Sequence, residues 1–126
     1  MMSVVGRWRI AEMELWDRED LDLVGPAFIE FGKDGLGRFA FIAVEGCMDC
    51  RQARGDGRSG VEFSWDGSDD CDRASGRGWA VLEQDGTLSG RIYLHLGDDS
   101  GFRATRVEEQ SKRGANGAAG GQRTPR

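Results

Sequence analysis

Cys47 and Cys50 stand in the spacing C-x-x-C, which can bind Zn²⁺ or cycle as a dithiol. Structural zinc takes four Cys or His ligands, commonly as two such pairs. Only Cys71 and the single His95 remain to complete a site. No βαβ pattern surrounds the pair, so idle loop thiols are the plainer reading. Residues 66–72, Asp66-Gly67-Ser68-Asp69-Asp70-Cys71-Asp72, gather hard oxygen ligands suited to Ca²⁺ or Mg²⁺ but lack EF-hand spacing. They read as a solvated turn. His95 falls between Leu94 and Leu96 on an expected strand, in alternation with Arg91 and Tyr93. A general base there would need an orienting carboxylate and a substrate pocket. No Ser/His/Asp, deaminase or phosphate-loop pattern accompanies it. The residue types therefore call for no cofactor and assign no catalytic residue, and His95 with a nearby carboxylate is the enzyme alternative.

A second set of residues could bind rather than react. Trp8, Trp65 and Trp79, with Phe28, Phe39, Phe41 and Phe63, can line a cavity or fill it. Barrels of about eight strands are either packed solid or hold one small ligand. If a cavity exists, Glu62, Tyr93, His95 and Arg106 are the polar groups expected to orient its occupant.

The elements that must position these side chains are short strands. In residues 4–13, Gly6, Trp8 and Ile10 alternate with Arg7 and Arg9, the period of a half-buried strand. Residues 101–107 are expected to return and close against it. Asp34-Gly35 joins residues 27–31 to 38–44, and Gln84-Asp85-Gly86 joins 78–83 to 87–96, both as hairpins. Val61, Phe63 and Trp65 face inward, with Glu62 and Ser64 outward. Gly90 is expected to mark a bulge or bend. Residues 45–60 read as a long loop carrying a short strand over 48–53 and a turn at 55–57; residues 66–78 read as a second polar loop. Residues 15–26 form a short helix or lid, with Asp17 as N-cap and Trp16, Leu21 and Val24 folded over one end. Seven or eight strands in a hairpin-joined meander imply an all-β barrel, with a β-sandwich as the alternative.

The 126 residues allow one domain, expected over residues 1–109. Residues 110–126 are rich in Gly, Ala and Arg, contain no large apolar side chain and are expected to be disordered. A net charge of −5 argues against a general nucleic-acid binder. No apolar run approaches the ~20 residues of a membrane span. Three cysteines, an odd number, suit a reducing, cytoplasmic setting.

Gly6-Arg7-Trp8 together with the late strand Phe102-Arg103-Ala104-Thr105-Arg106 resembles the calycin superfamily, the lipocalins and fatty-acid-binding proteins. The resemblance implies a closed barrel in which Gly6 and Trp8 open the first strand. It also implies that Arg106, or else Arg103, packs across Trp8. The chain departs from that family in being short and in having no helix before its last strand. It also looks like small bacterial proteins that share Gly76-Arg77-Gly78-Trp79-Ala80 and His95-Leu96-Gly97-Asp98-Asp99, a similarity that implies no activity. The expected function is non-catalytic binding of a small apolar or amphipathic ligand inside the barrel. The alternative is a homodimer or protein-interaction module that docks through the acidic segments 66–72 and 98–99.

Overall fold

A computed structural model describes residues 3–55 and 58–107; the turn expected at 55–57 lies partly, and the tail expected at 110–126 wholly, outside the described residues. Eight antiparallel strands follow one another around a closed barrel: β1 (Gly6–Met13), β2 (Phe28–Phe31), β3 (Leu36–Phe41), β4 (Val44–Gly55), β5 (Arg58–Asp69), β6 (Asp72–Leu82), β7 (Leu88–Leu94) and β8 (Asp99–Arg106). β8 returns onto β1, with Trp8 opposite Arg106 and Ile10 opposite Ala104, so neither strand is left as an open edge. The barrel, rather than a sandwich, is what the alternation builds.

The inward faces carry the core. Trp8 and Ile10 on β1, Phe39 and Phe41 on β3, Phe63 and Trp65 on β5, and Phe102 on β8 are all buried. Rings run in contact along the interior: Trp16 lies against Phe41 at 5.5 Å, Phe41 stacks on Phe39 at 5.8 Å, and Phe39 meets Trp65 edge-on at 5.0 Å. Edge-on and offset contacts suit the ring quadrupoles. The indole N–H groups of Trp8 and Trp65 donate to the carbonyls of Val4 and Tyr93, so neither buried donor is unsatisfied.

Both expected polar loops are strands. β4 pairs with β5 from Val44↔Asp69 to Gly55↔Arg58, and β5 pairs with β6 from Gly60↔Val81 to Asp69↔Asp72. Apart from Met48 and Cys50, many of their inward positions are small, Gly46, Gly67, Ala74, Gly76 and Gly78, so large apolar residues mark the period of two only weakly. The turn is only Asp70-Cys71, with Asp70 at φ +62°. Asp and Asn reach that left-handed region more readily than most side chains.

Gly90 marks no bulge. Its pairing with Ala80 and Phe102 is regular, and a Cβ there would stand 2.7 Å from the Phe102 ring; the register shift lies in β1, between Ile10 and Glu12. The strand expected through Leu96 ends at Leu94, leaving His95 and Leu96 in the turn before β8.

The lid is a single helical turn, α1 (Arg18–Leu21). Leu21 is buried and its carbonyl accepts the Ile42 amide, which ties the lid to the β3–β4 turn. Trp16 packs as expected, whereas Val24 is 75% exposed and covers nothing. Asp17 occupies the N-cap position without a side-chain capping bond. Asp22 instead accepts the Ala27 amide and pairs with Arg9, fixing the chain's path into β2.

Candidate functional site

The candidate ligand residues separate onto two sides of the barrel wall. Trp8, Phe39, Phe41, Phe63 and Trp65 come together inside. Phe28 faces outward on β2, where the guanidinium groups of Arg7 and Arg38 lie 3.9 and 5.5 Å from its ring centroid. Glu62, Trp79 and Tyr93 also face outward, with Trp79 39% and Tyr93 36% exposed. The register explains Trp79. Phe63 pairs with Gly78 and Val61 with Ala80, so the large inward residues of β5 are accommodated by small ones on β6, and Trp79 takes the opposite face. No chamber walled by Trp8, Trp65 and Trp79 therefore forms.

Arg106 takes the position that the resemblance implied. Its guanidinium lies 4.2 Å from the Trp8 ring centroid. It also donates to the carbonyls of Val5 at 2.9 Å and Ser3 at 2.7 Å. Arg103 points elsewhere, paired across the sheet with Ser89 and with Glu12. The clamp holds residues 3–5 against the barrel rim.

That rim encloses a recess at the end of the barrel opposite α1. It has a volume of about 220 Å³ and is walled by Val4, Val5, Phe31, Cys50, Ala53 and Val61. Val4, Phe31 and Val61 are core residues. Lys33, the single lysine of the described residues, stands at its edge and makes no ion pair among them. At the recess Cys50 is half-buried, and desolvation, followed by the nearby Asp49 and Asp34 carboxylates, pushes its thiol up to about 11. It is held as the neutral thiol. Sequence reasoning singled out Cys50 as a possible metal ligand but missed the other walls, ordinary apolar residues on β2, β4 and β5 and in the segment before β1. The available signal was the shared inward parity of Phe31, Cys50 and Val61 beside the Asp34-Gly35 turn.

The chemistry-bearing side chains do not assemble. On an extended strand, residues three apart face opposite ways, so Cys47 lies exposed on the outer wall while Cys50 faces inward. Cys71 is in the β5–β6 turn at the lid end. Among the described residues no three His, Cys, Asp or Glu side chains come together as a metal site. His95 is exposed, its backbone amide bonded to the Ser75 carbonyl, with no carboxylate on its ring among the described residues. The acidic run disperses: Asp66 pairs with Arg73 at 3.7 Å, and Asp69 and Asp72 face each other across the turn. Asp99 is bound by Arg91, whose guanidinium is made a still weaker acid by it.

Comparison with protein-family models, with curated proteins and with solved structures gives no match to this chain. Among the described residues no helix is long and apolar enough to cross a membrane.

Proposed function

We propose that the protein is a small calycin-like binding barrel that holds a short amphipathic molecule in the recess at its open end, without chemistry. The observation that carries this reading is the recess itself: about 220 Å³, with an apolar floor of Val4, Phe31 and Val61 and two cations in its lining, Lys33 and Arg51, that make no ion pair among the described residues. Such a site is small beside the ~300–1,000 Å³ of drug-sized pockets, so it suits a short chain. Burial of the apolar part among Val4, Phe31 and Val61 would supply the affinity, at roughly 25 cal/mol per Å² removed from water. Lys33 and Arg51 would orient an anionic head group towards solvent. The charged outer wall, with Arg7, Arg9, Glu30 and Arg38 on β1 to β3, favours an aqueous, cytoplasmic setting over lipid contact.

Calorimetric titration tests the polarity of the site. Octanoate is expected to bind the full chain about tenfold more tightly than octanol, the ratio that corresponds to about 1.4 kcal/mol. Lys33→Gln is expected to reduce that difference, and Lys33→Gln with Arg51→Gln to remove it, while octanol binding stays. Failure of both compounds to bind would end the reading.

A further inference from the structure

A second concave site lies on the outer wall and shares Arg51 with the lining of the recess. Two register rows cross strands β4 to β7 there: Asp49, Ser64, Arg77, Tyr93 in one and Arg51, Glu62, Trp79, Arg91 in the other. The small Ser64 between longer neighbours leaves a groove of about 560 Å³, within the range of small-molecule sites.

Among the described residues, Trp79, Tyr93, Arg51 and Arg77 in this groove make no ion pair and no ring contact. The other outward aromatic, Phe28, is covered by two guanidinium groups, but no cation or ring covers Trp79 or Tyr93 among the described residues. Arg91, the cross-strand neighbour of Trp79, is turned away and bonded to Asp99 and Glu14. Arg7, Arg9, Arg38 and Arg73 each make an ion pair on the outer wall. By contrast, Arg51 and Arg77 make none among the described residues, although Glu62 lies directly opposite Arg51.

We infer that this groove binds a short neutral saccharide. Asp49 and Glu62 balance Arg51 and Arg77, so the site has no net attraction for a phosphate or for a cationic peptide. What it offers is two part-exposed aromatic side chains, Trp79 and Tyr93, for the C–H faces of a sugar ring. Around them stand planar carboxylates that accept from vicinal hydroxyls, and guanidinium groups with the Ser64 hydroxyl that donate to them. A ligand that is apolar on its faces and polar around its edge matches both sets at once.

The test follows the indole N–H resonances of the full chain while cellobiose, lactose and maltose are added separately, up to about 10 mM, above the ~1 mM at which weak specific binding begins. At least one sugar is expected to shift the Trp79 resonance saturably and leave those of buried Trp8 and Trp65 in place. Trp79→Ala and Arg77→Ala, both on the outer wall, should each weaken binding about tenfold, as loss of a central contact does. Trp79→Phe should retain part of it. No saturable shift with any of the three, or equal shifts at all the indoles, overturns the inference. So does a Trp79 shift that grows with protein concentration alone, which would give the groove to a second copy of the chain.

Discussion

Cys47 and Cys50 share one strand and one sequence motif but have different chemistry. Cys47 is exposed, whereas burial and two carboxylates push the Cys50 thiol up to about 11. Because the thiolate is the nucleophile, iodoacetamide at pH 8 should modify Cys47 and Cys71 quickly and spare Cys50, as intact-mass and peptide analysis would show. Fast, equal modification of all three would contradict the inward placement of Cys50. The raised value also fixes the sign of a pH effect. The folded chain holds this proton to higher pH than the unfolded chain, whose thiol titrates near its ordinary value of 9.0. The contribution is therefore fully present below about pH 9 and is lost as pH rises towards about 11. Urea midpoints should fall across that window, and fall less in Cys50→Ala. Leu96 offers an opposite case: it is 96% exposed and held at φ +59°, so its side chain gains no burial while its backbone is strained. Leu96→Gly should raise stability by about 1 kcal/mol, the cost of a left-handed non-glycine residue. An unchanged or lower midpoint would contradict the strain.

At the scale of elements, the strands that were legible in sequence are those whose inward positions are large. Val61-Glu62-Phe63-Ser64-Trp65 and the Asp34-Gly35 hairpin announce their faces, and the structure keeps both. Residues 45–47 of β4 and 66–77 of β5 and β6 were unreadable because their inward residues, Gly46, Gly67, Ala74 and Gly76, carry no hydropathic signal, whereas 48–53 and 78–82 are strands as expected. Those glycines are small for a reason that lies on other strands. A Cβ on Gly46 would stand 2.6 Å from the Phe39 ring and 2.8 Å from the Trp65 ring, and one on Gly78 would collide with Phe63. Aromatic rings thus occupy the space that these glycines leave empty. Gly46→Val should cost at least the ~1–3 kcal/mol of core overpacking, read as a lower urea midpoint at unchanged slope. A neutral effect would mean that the rings are free to move. The same logic explains Trp79: its face is set by what Phe63 and Val61 need from Gly78 and Ala80, not by its own size.

For the whole molecule, the two ends of the barrel differ. Trp16, Leu21 and the β3–β4 turn close one end over Phe41, while residues 3–5, held by Arg106, rim a recess at the other. Closure of the barrel by β8 on β1 and the place of Arg106 over Trp8 could be anticipated from two short stretches. The position of the opening could not, because it depends on which strand ends share a rim. The measurement that tests this account most directly is a backbone amide titration of the full chain with octanoate. The recess predicts saturable shifts at Val4, Val5, Phe31, Ala53 and Val61, with Trp16 and Leu21 unmoved, and their loss in Val61→Trp with the rest of the spectrum preserved. Shifts centred on the lid, or unchanged binding in Val61→Trp, would contradict it.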